Sequence, residues 1–398
     1  DGDGDGYGDV ESSTLACVAP SGTVADSSDC DDGAGAVSPA AVETCNGVDD
    51  NCDGTVDEGT DGECPDGSCI DGVCVPDCAD GQLDTTFGDD GLVHVDMGGP
   101  EYLSAIAIQD DDGIVVTGNN GSGLFQVARV TADGVLDTAF GSDGRVTTAF
   151  GASANSAAVA IQPDGQILVV GSTHISCSME WNRYALARYN PDGTLDTSFG
   201  SGGTQSTNWG SVGSSLYSIG FQSDGKIIVS GTRYSGGCSP GITQSTVTRY
   251  TAGGELDTTF GAGGETRRDI PYGPHHDYNQ GVVVLSDDAI VASGSDNYGS
   301  WAGTQHYASN GSYIREHGMG SGYASSVALD SSGRILASTS DALQRLDSGG
   351  SHELSFSAPA GFSFKTGPYV LAVDDSDRPL ILADSTTAFQ VIRYHEAG

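Results

Sequence analysis

Short apolar runs recur along most of the chain, each interrupted by a turn sequence and matched by a second run beyond it. AVAIQPDGQILVVG at 158–171 and SIGFQSDGKIIVSG at 218–231 set two such runs around Asp-Gly. Asp-Gly favours a two-residue turn whose twist matches that of the strands, so each pair predicts a β-hairpin. AIAIQDDDGIVVTG at 105–118 opens the series, and VVVLSDDAIVASG at 282–294, SVALDSSGRILAST at 326–339 and LAVDDSDRPLILAD at 371–384 continue it. A third run follows and ends in Arg-Tyr or a variant, as in ALARYNPDG at 185–193 and TVTRYTAGG at 246–254. Next comes a turn, LDTTFG at 83–88, LDTAFG at 136–141, LDTSFG at 195–200 and LDTTFG at 256–261, and then a short strand such as RVTTAF at 145–150.

About six such units of roughly 40–60 residues, each with about four short strands, predict an all-β, six-bladed or seven-bladed β-propeller over residues 79–398. Small Ala158 and Ala160 alternate with branched Val159 and Ile161, which suits close packing of blades. Phe87, Phe140, Phe199 and Phe260 recur at one register and are expected to pack between blades. Asp84, Asp137, Asp196 and Asp257 are expected to cap their own turns through side-chain to backbone bonds.

Charge changes the picture at the N-terminus. The chain carries 15 Lys and Arg against 55 Asp and Glu, a formal net charge of −40. Such a surface repels phosphates and anionic lipids, so nucleic acid is not expected as a partner. No run approaches the length of a membrane span, and membrane insertion is not expected. Residues 1–78 hold no Lys or Arg and eight of the ten cysteines, so the excess is concentrated there. Clustered cysteines in a segment with little core predict a disulfide framework and a secreted, extracellular or cell-surface setting. The start at Asp1, without Met, is read as a processed mature chain or a trimmed fragment.

Unpaired carboxylates at this density self-repel, and a multivalent cation relieves them. DGDGDGYGD at 1–9 sets Asp1, Asp3 and Asp5 at alternate positions, then Gly6, the Tyr7 carbonyl and Asp9. DDNCDGTVDE at 49–58 repeats this with Asp49, Asn51, Asp53, Gly54, the Thr55 carbonyl, and Asp57 or Glu58. Alternate oxygen ligands followed by a turning Gly form the pattern of a calcium loop. A third acidic knot holds Asp26, Asp29, Asp31 and Asp32. The flanks are not helix-forming, so paired EF-hands are not expected.

DGDGDGYGD, the single Cys17, VADSSDCDD at 24–32 and ETCNGVDDNCDGTVDEG at 43–59 together resemble the MopE-type metal-binding repeat of secreted myxobacterial-type proteins. The Asp spacing is also similar to thrombospondin type-three calcium repeats. The resemblance implies a ligand role for the Asp, Asn and Glu named above. The LDTxFG turns, the QPDGQI-like hairpins and the ARYNPDG strand ends resemble the delta-sixty β-propeller repeat, most strongly to about residue 265. The expected organisation is an irregular calcium-binding segment at 1–59, a Cys-rich linker at 60–78 and the propeller at 79–398.

Cys17–Cys30 and Cys45–Cys52 are the expected bridges, each closing a loop around an acidic cluster. Cys64, Cys69, Cys74 and Cys78 are expected to pair as Cys64–Cys74 and Cys69–Cys78; a zinc site is the alternative, but CxxC spacing is lacking. Cys177 and Cys238 fall in equivalent loops of consecutive units and are expected to bridge.

His275, His276 and Asp277 form the one unusual cluster of acid–base residues, though adjacent strand residues point to opposite faces. Trp181, Trp209 and Trp301 lie between units, where aromatics either stack on sugars or are buried. No G-x-S-x-G elbow, H-E-x-x-H or P-loop occurs. The expected function is that of a calcium-stabilised extracellular structural or adhesion protein, not an enzyme. Its acidic segment would self-associate or bind another surface protein, with filament or surface-layer assembly as one outcome. A polysaccharide-binding propeller and a secreted hydrolase with a central-channel site are the alternatives.

Overall fold

The computed structural model describes residues 7, 28–31, 34, 36–57, 67–70, 73–76, 86–89, 92–97, 102–119, 122–151, 153–174, 183–209, 212–235, 243–268, 277–296, 300–339, 343–356, 370–373, 377, 379–384 and 389–393. The chain divides into two compact units, Asp1–Asp84 and Thr85–Gly398. Among the described residues there is no helix, and none is therefore long and apolar enough to cross a membrane.

The first unit has little apolar interior. Val37 is the one buried apolar residue among those described in it, while Val42, Val48 and Val56 are exposed. Residues 36–57 form irregular turns, and the hairpin β1 (Gly67–Ile70) and β2 (Val73–Pro76) sets Cys69 opposite Cys74.

Among its described residues, the second unit contains six antiparallel sheets. Sheet 1 is β3 (Tyr102–Ile108), β4 (Ile114–Asn119), β5 (Phe125–Val130) and β6 (Arg145–Thr148). Sheet 2 is β7 (Ser153–Ile161), β8 (Ile167–His174), β9 (Arg183–Tyr189) and β10 (Thr204–Thr207). Sheet 3 is β11 (Val212–Phe221), β12 (Ile227–Ser235), β13 (Thr243–Tyr250) and β14 (Glu265–Arg268). Sheet 4 is β15 (Asp277–Val284), β16 (Ile290–Asp296), β17 (Ala302–Tyr307) and β18 (Tyr313–Gly320). Sheet 5 is β19 (Ala324–Leu329), β20 (Ile335–Thr339), β21 (Leu343–Leu346) and β22 (His352–Phe356). Sheet 6 is β23 (Val370–Val373), β24 (Pro379–Asp384) and β25 (Phe389–Arg393). Each sheet is a meander in chain order, and the first strands of successive sheets touch one another. That places the first strands innermost and the fourth strands outermost.

The hairpins form where expected, but their loops are wider than two residues. The amide of Gly165 donates to the Gln162 carbonyl and that of Gln162 to the Gln166 carbonyl. Pro163, Asp164 and Gly165 therefore form a three-residue loop with Gly165 at φ 81°. A type I turn followed by a left-handed residue makes such a loop, and Asp-Gly supplies it as readily as the tighter one.

Sheets pack face to face through apolar clusters. Val115, Phe125, Phe140, Val159, Ile167, Val169 and Tyr189 fill the interface of sheets 1 and 2. Leu168, Val170, Tyr184, Phe199, Leu216, Ile227, Val229 and Tyr250 fill that of sheets 2 and 3. Phe140, Phe199 and Phe260 are fully buried, as their recurrence leads one to expect.

A repeated polar clasp ties each LDTxFG turn to the next sheet. Asp196 Oδ1 accepts the Ser198 amide, and Asp257 Oδ1 that of Thr259, so these residues do cap their turns. The other carboxylate oxygen pairs with an arginine eight residues earlier: Arg188 Nε to Asp196 at 2.7 Å, and Arg249 Nε to Asp257 at 2.9 Å. Arg129 pairs with Asp137 in the same way. The guanidinium groups of Arg188 and Arg249 also reach the following sheet, Arg188 to the Ala252 carbonyl and Arg249 to that of Ser309, whereas Arg129 binds Gln109 and Asp111 of its own sheet. Arg188 lies over the ring of Phe199 and Arg249 over that of Phe260, both at 4.7 Å. Burial alone would raise the Asp196 and Asp257 carboxyls, but the Ser198 and Thr259 donors, with the arginines, hold both below the ordinary carboxylate range. Finally, the amides of Gly141, Gly200 and Gly261 donate to carbonyls of Asp192, Gly253 and Asn310 on the next sheet.

Sheet 4 departs from this pattern. His306 stands at the register of the arginines, opposite Val291 as Arg249 stands opposite Ile228. It is buried, and burial pushes its imidazole down to about 4.

Candidate metal centre

The loop at 49–57, where the sequence spacing places ligands, is shaped by hydrogen bonds of its own side chains. Asp49 Oδ2 accepts the Gly54 amide at 2.9 Å and its Oδ1 that of Asp53 at 3.2 Å. Asn51 Oδ1 accepts the Asp53 amide at 2.9 Å, and Asp53 Oδ1 the Thr55 amide at 2.9 Å. Three alternate side chains thus curl inward onto one turn, which Gly54 makes at φ 93°. A carboxylate oxygen bound to one amide keeps a second lone pair, so this arrangement still has hard donors for a cation.

Two acidic residues that the ligand pattern does not single out hold this loop. Buried Glu43 accepts the Asn51 amide through Oε1 and the Asp57 amide through Oε2. Buried Asp50 accepts the amide and hydroxyl of Thr44 and the side-chain amide of Asn46. The Thr44 hydroxyl, against the opposing effect of burial, holds the Asp50 carboxyl below the usual range. They lie four to fourteen residues from the groups they bind, and no local turn rule singles them out in the sequence. Asp57 is drawn into the same scaffold, its Oδ1 accepting the amides of Asn46 and Gly47.

Asp29 is 4 % exposed; its Oδ1 accepts the Asp31 amide, while its buried Oδ2 has no hydrogen-bond partner. A buried carboxylate oxygen left unpaired is costly, and a bound cation is one group that satisfies it. Asp29 gathers with the sulfurs of Cys30 and Cys52. Those sulfurs are joined to each other in a disulfide, which removes them as thiolate ligands. The donors here that fit a metal are therefore oxygens, and oxygen donors suit a hard divalent cation better than a soft one.

The bridging differs from the expected scheme. Cys30 is joined to Cys52, not to Cys17, and Cys45 is disulfide-bonded but not to Cys52. The bond connects the acidic knot around Asp29 to the loop at 49–57, where the expected pairing closed each cluster on itself. Local loop closure was the wrong criterion, because residues 30 and 52 are brought together by the Glu43 and Asp50 bonds that fold the chain between them. For Cys64, Cys69, Cys74 and Cys78, the hairpin register sets Cys69 across from Cys74, while their expected partners Cys78 and Cys64 lie outside the described residues. Cys17, Cys64, Cys78, Cys177 and Cys238 lie outside the described residues.

Asp1, Asp3, Asp5, Asp9, Asp26, Asp32 and Glu58 also lie outside the described residues, as do His275, His276 and Trp181. Asp277 opens β15. The other two tryptophans are committed to packing: Trp301 is 7 % exposed. Trp209 meets Tyr184 edge-on at 6.1 Å and lies under the Arg233 guanidinium at 4.9 Å. An open cleft lined by Gly141, Arg145, Val146 and Leu195 has one charged side chain and no acid–base pair.

Comparison with known proteins agrees with both halves of this description. Residues 29–58 match the MopE (Cu-binding) family of metal-binding motifs. Residues 109–140, 162–199 and 222–260 match a β-propeller domain of unknown function, DUF5122. No curated protein sequence matches the chain. Similar solved structures include a glucose dehydrogenase, 12% identical over 75% of this chain and 98% of that one, with a TM-score of 0.45. A gluconolactonase from Xanthomonas campestris is 16% identical over 72% and 84%, with a TM-score of 0.40. A catalytically inactive virginiamycin B lyase from Staphylococcus aureus with quinupristin is 12% identical over 73% and 94%, with a TM-score of 0.38. These neighbours correct the expectation that the chain is not an enzyme, since the structures it resembles include enzymes. At TM-scores below 0.5 they assign it no reaction, substrate or catalytic residue. The chain is thus a β-propeller preceded by a MopE-type metal-binding motif.

Proposed function

We propose that the protein works outside the cell as a structural or adhesion component whose acidic N-terminal unit is ordered by calcium. The loop at 49–57 carries this reading, with the side-chain oxygens of Asp49, Asn51 and Asp53 gathered on one turn. The Cys30–Cys52 bridge supports an oxidising compartment. Calcium is favoured over copper because the available donors are oxygens, the cysteines at this site being consumed in the bridge. An acidic surface that binds calcium also attracts a second acidic surface through shared ions. The proposed partner is therefore another copy of this chain or another acidic surface protein. Sedimentation and electron microscopy of the purified protein test this. Particles larger than the monomer are expected at millimolar calcium, dispersing when the ion is chelated. Monodisperse monomers under both conditions would contradict the assembly role.

A further inference from the structure

The interface between sheets 4 and 5 is fastened differently from those before it. No LDTxFG turn follows β17, which runs into β18 through residues 308–312. The sequence therefore supplies neither the arginine nor the turn aspartate of the clasp here. His306 fills the place of the buried phenylalanine as well. A Cβ at Gly254 or Gly311 would collide with the Phe199 or Phe260 ring, and one at Gly350, the corresponding glycine of sheet 5, with the His306 ring.

Two further histidines lie at the outer edge of this interface. Residues opposite each other across an antiparallel ladder share a face, as do alternate residues of one strand. Val291, Ile335 and Leu346 are apolar contacts between the two sheets. Val291 pairs with His306 and His306 with Arg315, and His317 lies two residues further along β18. In sheet 5, Ile335 pairs with Leu346 and Leu346 with His352. His317 and His352 thus face each other from the outer strands, their ring centroids 6.2 Å apart and their planes differing by 18°. An ion held by one nitrogen of each ring at about 2.0–2.1 Å sets the centroids about 5–6 Å apart. A small rotation of the exposed His352 ring brings both onto one ion.

Hydrogen bonds select the available nitrogen. Gln344 Oε1 can only accept, so His317 Nε2, at 3.0 Å, carries the proton and Nδ1 keeps its lone pair. His352 Nε2 lies 2.8 Å from the Ser355 hydroxyl, which leaves Nδ1 in the same condition when the hydroxyl accepts. Metal-ligating histidines are commonly oriented by such a partner on the other nitrogen. No third acidic, thiol or imidazole side chain among the described residues gathers with them, so the remaining positions fall to water. We infer that His317 and His352 bind a divalent transition-metal ion of the zinc or copper class through Nδ1, stapling the outer strands of sheets 4 and 5 where the clasp is missing. Imidazole donors suit such ions, whereas the oxygen donors of the acidic unit suit calcium, so chemistry separates the two sites.

Zinc titration of the full chain in excess calcium, read by calorimetry and by thermal melting, tests the inference. The wild type should bind a zinc ion that His317→Ala and His352→Ala each weaken at least about tenfold, and Gln344→Ala about tenfold through lost orientation. Zinc should raise the wild-type melting temperature by about 2 °C or more and leave that of His352→Ala unchanged. His352 is exposed, so its substitution should leave the metal-free protein folded, and it decides the matter even where His317→Ala fails to fold. No zinc bound at millimolar concentration, or undiminished affinity in His352→Ala, would overturn the site. Binding that needs both histidines but leaves the melting temperature unmoved would overturn the staple.

Discussion

Phe199→Ala is expected to destabilise the propeller by about 3–5 kcal/mol, the usual cost of truncating a fully buried aromatic ring. Three contacts meet at this side chain. The ring is fully buried in the cluster between sheets 2 and 3. Arg188 lies over it while bound to Asp196 and to the Ala252 carbonyl. Gly254, in the left-handed region at φ 87°, comes so close that a Cβ there would lie 2.6 Å from the ring. Removing the ring therefore opens a cavity and also exposes a buried ion pair to water. Chemical denaturation of the wild type and the variant gives the difference. A loss below about 1 kcal/mol would mean that the interface of sheets 2 and 3 is not packed as described.

The second large effect concerns the Cys30–Cys52 bond. A crosslink over 22 residues stabilises by about 3 kcal/mol in the chain-entropy account. The first unit has almost no apolar burial among its described residues to replace that contribution. Its remaining restraints include the disulfide of Cys45 and hydrogen bonds from backbone amides to Glu43, Asp50 and Asp57. The double variant Cys30→Ser, Cys52→Ser should therefore lose ordered structure in this unit while the propeller keeps its own transition. Limited proteolysis followed by mass spectrometry separates the two: cleavage within 28–57 should accelerate at least tenfold, with the repeats untouched. Unchanged cleavage would show that the unit holds its structure without this bridge.

These two predictions also mark what a sequence makes legible. Repetition made the propeller readable, because LDTxFG and its hairpins recur in a fixed frame and each copy confirms the others. The caps made by Asp196 and Asp257 follow from local turn chemistry. Their pairing with Arg188 and Arg249 was visible only as a constant spacing of eight residues, and the strand end and the turn suggest no partnership when read separately. The hairpin loops came out a residue wider because Asp-Gly serves two kinds of turn. In the acidic unit the ligand spacing was legible but the scaffold was not. Glu43 and Asp50 look like two more carboxylates in an acidic stretch, and only the fold shows that they bind amides. The Cys30–Cys52 connection depends on that folding, so no count of loop lengths could select it.

The central claim, that calcium orders the acidic unit through the loop at 49–57, is tested most directly by titrating calcium into metal-free protein. The readouts are bound metal and the protease resistance of residues 28–57. At least one bound calcium per chain is expected, with resistance that rises over ~10⁻⁴–10⁻³ M, the range of extracellular calcium modules. Asp53→Ala should shift that midpoint at least about tenfold upward, for loss of one charged ligand. No bound calcium at several millimolar, with resistance unchanged by chelator, would contradict the claim.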